Sequence, residues 1–511
     1  MTTAAGERAV GPLAGASPSG SPALARVLAR NTIYNLGGQF GVKVLTAAFS
    51  IYVVRHLGDT AYGRYATVLA LVGLLSMLAE MGVTQYGIRE IARDRLRTVS
   101  LLSAMTCVRL GLSLLGVVAC IGLALLLRYD AELIWAVLLA SLAFVVYAVQ
   151  GPLEVVLRAY ERLDLTSALL AANQLLFVAF GALLLVVGAG YIGLLVASLV
   201  ALLITTLATW QVLARWVTRT RFVVRWGEWG TTLRGGIPFA LSGIGILISD
   251  RAGTVMLSAW RPAEEVGWYA VALGLVSSLL MLWMGFSGAM VPSLSRESVA
   301  DPTVIPRVFE KAALAIVALY LPVAVGTAVV ADDLLRLLYT DEFLPAANPL
   351  RVVVWLLVAR TLAFFCGGIT WVIGRERAMA RVYLLGALVE TGLNAVFIPR
   401  VGLIGTALAA IVAAVFVLVQ FLFLLRGVVP LALSPSRLAG ILAASAGMGL
   451  FTVALGETQR VHVLGVVAAS ALSYAALLLA FRVVSVAAVR RVAVLAFASV
   501  RQFHEPSVTR G

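Results

Sequence analysis

The sixteen residues GRYATVLALVGLLSML, Gly63 to Leu78, recur as GWYAVALGLVSSLLML, Gly267 to Leu282, with nine identities at a constant offset of 204 positions. Apolar composition inflates such matches, but the Gly-x-Tyr-Ala head of each copy does not follow from composition. A weaker echo, GYIG at Gly190 to Gly193 and GLIG at Gly402 to Gly405, lies 212 positions apart. The chain therefore reads as two homologous halves. What each half is made of follows from hydropathy.

Of 511 residues, 61% are hydrophobic and 13% charged, against about 25% charged in ordinary soluble proteins. Mean hydropathy is +1.00. The apolar residues fall in continuous runs rather than in ten-residue alternating segments, which predicts an all-α integral membrane protein and excludes a β-barrel. Runs at 31–55, 62–82, 99–127, 133–153, 165–188 and 191–214 make a first set of six. Runs at 235–259, 266–292, 312–331, 350–373, 380–399 and 402–425 make a second six, and two more lie at 438–456 and 463–485. About fourteen transmembrane helices are expected. In this reading 1–30 is a disordered cytoplasmic tail, 31–214 the N-terminal lobe and 215–234 a basic cytoplasmic linker. The C-terminal lobe spans 235–426, two added helices 427–485, and a basic cytoplasmic tail 486–511.

Charge placement agrees with that threading. With the N-terminus inside, 27 of the 39 Lys and Arg residues fall in cytoplasmic segments, eight outside and four within spans. Cytoplasmic loops carry such an excess in correctly threaded membrane proteins, and one miscounted helix would have inverted every later loop. The same bias accounts for the formal net charge of +14, so no nucleic-acid partner need be invoked. Six helices per lobe is an even number, so both lobes run in the same sense, related by a pseudo-twofold along the membrane normal. Two such lobes around a central cavity form a transporter architecture.

A polar cavity shows in sequence as charge placed where charge is costly, about 2.5 to 3.5 kcal/mol at mid-membrane. Lys43, Arg109, Arg251 and Arg360 lie within spans, as do the acids Asp250 and Glu390, with Glu80 and Glu154 nearer the helix ends. The 204-residue register places Asp250 and Arg251 about one turn from the position matching Lys43. Lys43 and Arg251 are the first candidates for an anionic substrate in the cavity, with Arg109 and Arg360 behind them. These charges can also pair internally, for instance Arg360 with Glu390. Asp250 and Glu390 are either partners of the cations or sites for a coupling proton or Na⁺. Pro238, opening the second lobe, is a candidate hinge. Gly37 to Gly41 reads as helix packing, and Gly63 and Gly267 as permitting a tight turn into the membrane.

No metal site or cofactor is expected. Cys107, Cys120 and Cys366 lack metal-ligand spacing, and His56, His462 and His504 are scattered. No phosphate-binding loop of the Gly-x-x-x-x-Gly-Lys type occurs. An enzyme is not expected.

Several phrases carry a resemblance: NLGGQFGVKVLTAAFSIYVVRHLGDTAYGRYA (35–66), GVTQYGIREIARDR (82–95), GGIPFALS (235–242), EEVGWYA (264–270), LLYTDEFLPAANPLRVV (337–353) and FIPRVGLIGTALA (397–409). Together they resemble the bacterial polysaccharide-biosynthesis flippases of the multidrug/oligosaccharidyl-lipid/polysaccharide exporter superfamily, over roughly residues 30 to 430. That resemblance implies movement of a polyprenyl-pyrophosphate-linked oligosaccharide to the outer leaflet by alternating access, with cation-gradient coupling. It implies a cationic cavity for pyrophosphate and sugar, with Lys43 and Arg251 facing it. It further implies a bacterial cytoplasmic membrane with both termini inside, action as a monomer, and glycan polymerases or glycosyltransferases as partners. A lipid II flippase, a cation-coupled multidrug exporter, a membrane scaffold for glycan polymerases and an integral glycosyltransferase are the alternatives.

Overall fold

A computed structural model describes residues 22–216, 227–300, 304–429, 434–456 and 462–483. Residues 1–21 of the expected N-terminal tail, the expected C-terminal tail and the middle of the linker lie outside these residues, whereas 22–30, expected to be disordered, are helical as the start of α1. The first lobe contains α1 (Pro22–Glu80), α2 (Val83–Arg93), α3 (Thr98–Leu126), α4 (Ala131–Ala159), α5 (Leu163–Val186) and α6 (Gly190–Trp216). The second contains α7 (Gly227–Trp260), α8 (Ala263–Ala300), α9 (Val304–Val329), α10 (Ala331–Leu338), α11 (Ala347–Val353), α12 (Leu356–Val372), α13 (Glu376–Val401) and α14 (Leu403–Leu424). Then come α15 (Pro435–Gly456) and α16 (Val463–Ala480). Short 3₁₀ turns occupy Arg95–Arg97 and Asp341–Ala346. Among the described residues eleven helices are long and apolar enough to cross a membrane, or twelve if α11 and α12, bent by 46°, form one span.

The expected count of fourteen is not reproduced. The two spans expected at 31–55 and 62–82 are present as two helical segments of α1 that meet at a kink at Gly58, whose φ of 73° lies in the left-handed region. A single glycine there redirects the chain with no loop at all, because only glycine adopts that conformation without a Cβ clash.

Each lobe has its own apolar core, and the lobes are keyed together at the seam. Val54 of α1 packs into the second-lobe core with Leu257, Val266 and Phe343. Val255 of α7 packs into a first-lobe core with Val68, Leu71 and Phe144. The added pair α15 and α16 rests on α9: Ile441 packs with Leu314 and Val317, and the Tyr474 hydroxyl donates to the Ala318 carbonyl at 2.7 Å.

The repeated phrase lies at the centre of the seam. A Cβ on Gly63 would sit 1.8 Å from the Ala263 carbonyl oxygen, and a Cβ on Gly267 2.4 Å from that of Asp59. Ala263 is Asp59 plus 204, so the two contacts are images of each other about the pseudo-twofold. Gly63 and Gly267 lie inside helices, so they serve close approach of two backbones and not the tight turn expected of them. Gly63→Ala is therefore expected to force the lobes apart and to cost about 2 to 3 kcal/mol, in the range for overpacking. Gly41→Ala, where nothing lies within 4 Å, is expected to leave the thermal unfolding midpoint unchanged or raised. Among the described residues nothing packs on Gly41, and the surroundings of Gly37, its partner in the expected packing motif, lie outside them.

Candidate functional site

Further contacts clasp the seam at the end carrying the repeated phrase. The Thr60 hydroxyl donates to Glu264 Oε1 at 2.9 Å, and these residues are themselves 204 apart. A residue that touches its own repeat image lies on the pseudo-twofold axis. The segment after α9 then crosses over the joint. Arg55 donates to the carbonyls of Leu337 and Leu338, at 2.5 and 2.6 Å, capping the end of α10. Trp268 Nε1 donates to the Glu342 carbonyl at 2.9 Å, and the Tyr62 and Phe343 rings meet edge to face. The shorter link between α3 and α4 makes the opposite contact, Tyr129 hydroxyl to Ser258 hydroxyl at 2.6 Å. Near the other end, Gly235 and Gly236 of α7 press against Tyr86 and the Met81 carbonyl.

Helix α7 sends its two adjacent charges, Asp250 and Arg251, to different places. Successive residues on a helix point about 100° apart. Asp250 turns into the second lobe, where it forms an ion pair with Arg360 of α12. Arg251 turns to the seam, its Nε 3.1 Å from where a Cβ on Gly73 of α1 would stand. Arg251 is exposed, and among the described residues no carboxylate forms an ion pair with it. Gly73 leaves the room in which that guanidinium lies. The side chain of Lys43 lies outside the described residues, as does that of Pro238; α7 continues through position 238 as helix.

Arg360 belongs to a cavity of about 590 Å³ inside the second lobe, between α7, α8, α12, α13 and α14. Ser249, Asp250, Tyr269, Arg360, Tyr383 and Glu390 supply its polar lining. The Arg360 guanidinium lies over the Phe364 ring at 5.5 Å. Its ion-pair partner is Asp250 and not the Glu390 named from sequence as an example. Glu390 is buried and is hydrogen-bonded by Ser249. One turn on, Asn394 is wholly buried with neither amide atom partnered, and the Thr406 hydroxyl is likewise buried and unpartnered. Both side chains approach Gly253, with Thr406 Cγ2 at 3.0 Å and Asn394 Nδ2 at 3.6 Å from a Cβ placed there. Unsatisfied buried polar atoms cost about 1 to 3 kcal/mol each, so two such residues meeting at one glycine set this spot apart from the surrounding core. Asn394 and Thr406 were not singled out in the sequence; the i,i+4 spacing of Glu390 and Asn394 on one helix face was the available signal.

The Asp250 to Arg360 pair is a framework contact by its geometry. Asp250→Ala is expected to lower stability by about 2 kcal/mol, less than the roughly 3 to 5 of a fully buried broken pair, because Asp250 is 40% exposed. Asp250→Ala with Arg360→Met is expected to recover most of that loss, read from thermal unfolding in a double-mutant cycle.

Arg109 is interior to the first lobe. It is 7% exposed, donates to the Thr84 hydroxyl at 3.1 Å, and lies on Gly151, where any Cβ would collide with the guanidinium. Glu80 and Glu154 flank it. Among the described residues no three His, Cys, Asp or Glu side chains gather as a metal site.

Two lobes joined about a pseudo-twofold, with Arg251 turned to their seam and a polar cavity inside each lobe, have the architecture of a multi-pass membrane transporter. The chain belongs to the polysaccharide biosynthesis protein family, whose model matches residues 28–297, and the MatE family model matches residues 238–396. Among solved structures it is similar in fold to "Lipid II flippase MurJ, inward closed conformation", with a TM-score of 0.71 at 12% identity, over 87% of this chain and 98% of that one. It is also similar to an inward-facing multidrug resistance MATE family transporter of the MOP superfamily, with a TM-score of 0.59 at 16% identity, over 76% and 94%. Comparison with curated proteins returned no match.

Proposed function

We propose that the protein flips a polyprenyl-pyrophosphate-linked oligosaccharide from the cytoplasmic to the outer leaflet, for capsule, exopolysaccharide or other surface glycan assembly. The observation that carries this reading is Arg251, an intramembrane guanidinium at the seam with no ion-pair partner among the described residues. A diphosphate needs a fixed cation that is not already neutralised. Lys43, one turn away in the repeat register, is the proposed second contact. Arg360 and Arg109, each held by groups of its own lobe, are framework cations in this reading.

The seam at Thr60 and Glu264 is the proposed outer gate, and Pro238 with its neighbouring glycines the proposed hinge. The lipid tail remains in the bilayer while the head group uses the cavity. Alternating access then avoids exposing the diphosphate to about 30 Å of hydrocarbon. The proposed setting is the bacterial cytoplasmic membrane with both termini inside, the protein acting as a monomer beside glycan polymerases or glycosyltransferases.

Coupling to a cation gradient is assigned to the second lobe, to Glu390 and Asp250 of the cavity lining and to the buried Asn394 and Thr406 that meet at Gly253, which offer carboxylate, amide and hydroxyl oxygens of the kind Na⁺ takes. Asn394→Leu is expected to abolish the Na⁺ or proton dependence of transport while the protein still inserts. Gradient-dependent transport by Asn394→Leu at the wild-type rate would remove that assignment.

Deletion of the gene followed by analysis of lipid-linked sugars tests the function. Accumulation of one oligosaccharide on a polyprenyl carrier is expected. A lipid II flippase would instead accumulate the peptidoglycan precursor, and a drug exporter would accumulate neither. The cation at the seam, which no carboxylate among the described residues pairs, disfavours the exporter, whose cationic substrates would meet like charge there.

A further inference from the structure

A second cavity, of about 400 Å³, lies inside the first lobe between α4, α5 and α6. Its polar lining is Gln150 and Glu154 from α4, Thr166 and Asn173 from α5, Thr205 from α6, and Tyr147. The hydroxyl protons around it are already committed to backbone carbonyls. Thr205 donates to Ala201 and Leu202 at 2.9 and 3.1 Å, Thr209 to Thr205 at 2.7 Å, and Thr166 to Arg162 at 3.2 Å. An amide meeting such a hydroxyl has to present its NH₂ group. Asn173 Nδ2 accordingly donates to Thr205 at 3.0 Å, and Gln150 Nε2 to Thr209 at 3.2 Å.

That chain of donors settles which way both amides face. Gln150, 8% exposed, is left with Oε1 buried and without a partner. Glu154 gives one oxygen to Arg158 at 2.8 Å, and Arg109 interacts with it from within the lobe. The carboxylate charge is thus already balanced, which disfavours a bare cation as occupant. What remains is a set of acceptors without net charge, beside the half-exposed ring of Tyr147. A neutral ligand rich in hydrogen-bond donors complements it.

We propose that this cavity is a glycan subsite, in which sugar hydroxyls donate to Gln150 Oε1, Asn173 Oδ1 and Glu154 while a ring face lies against Tyr147. The proposal rests on the reading of the protein as a glycan-lipid flippase and adds where the sugar is recognised. The subsite is separate from the seam, so diphosphate and sugar have different anchors.

The test uses the purified full chain and the oligosaccharide released by mild acid from the lipid-linked pool. Wild type is expected to bind the released glycan, read as a raised thermal unfolding midpoint and by titration. Gln150→Met is expected to weaken binding about tenfold, in keeping with the loss of one acceptor. Tyr147→Ala, at an exposed position where folding is not at stake, is expected to weaken it as well. Binding unchanged in both variants overturns the subsite, as does an equal stabilisation of wild type by NaCl alone. Wild type that binds the released glycan but does not flip the lipid-linked form supports the subsite and removes the flippase reading.

Discussion

Arg251→Gln is expected to lower flipping of a pyrophosphate-linked substrate by about ten- to a hundredfold, the equivalent of one charge-assisted hydrogen-bonded contact of roughly 1.5 to 3 kcal/mol. Insertion and thermal stability are expected to change little. Arg251 has no ion pair among the described residues to break, and its guanidinium is exposed at the seam. Arg251→Lys is expected to retain part of the activity, because a point charge still meets the diphosphate but the bidentate fork is lost. Arg360→Gln supplies the contrast. It strips Asp250 of its partner, so its defect is expected in stability as well as in transport. Flipping by Arg251→Gln at the wild-type rate, with Lys43→Ala added, would remove the substrate site from the seam.

Joining Thr60→Cys to Glu264→Cys through a disulfide is expected to stop transport nearly completely, with recovery on reduction. These side chains already meet, with 2.9 Å between Thr60 Oγ1 and Glu264 Oε1, and the backbones beside them approach as closely as glycine allows. Both positions lie on the pseudo-twofold, so one bond holds the whole end of the seam. Transport that continues with the cross-link fully formed would mean that this end never opens. Arg55→Ala is the graded version of the same test, since it releases only the cap on α10. Its expected effect is a faster opening of that end, seen as increased labelling of a single cysteine at Thr60.

Much of this architecture was legible in the sequence, for specific reasons. Continuous apolar runs and the excess of Arg in alternate loops identify a multi-pass helical protein before any fold is known. The repeat at Gly63 and Gly267 gives the two lobes and their register. The same register later predicts which residues touch across the seam, since a residue on a twofold axis meets its own image.

What escaped detection depends on the third dimension. The break at Gly58 looks like a loop in sequence, because hydropathy cannot distinguish a loop from one glycine at positive φ. Gly63 and Gly267 were read as turn residues, whereas a backbone from the other lobe stands where their side chains would be. The intramembrane charges were all visible, but not their directions. Asp250 and Arg251 are neighbours in sequence, yet one faces Arg360 and the other the seam. Asn394, Thr406, Gln150 and Asn173 carry no signal in the sequence, because a neutral polar residue in a span is unremarkable until its hydrogen bonds are counted.

Transport by the purified protein in liposomes tests the central claim most directly. The lipid-linked oligosaccharide is loaded on one leaflet, and its appearance on the other is followed with an impermeant glycan-cleaving enzyme. Wild type is expected to expose the glycan in a gradient-dependent manner, and the oxidised Thr60→Cys, Glu264→Cys protein is expected not to. Failure of wild type to move the glycan, together with gradient-driven export of a cationic dye, would contradict the assignment.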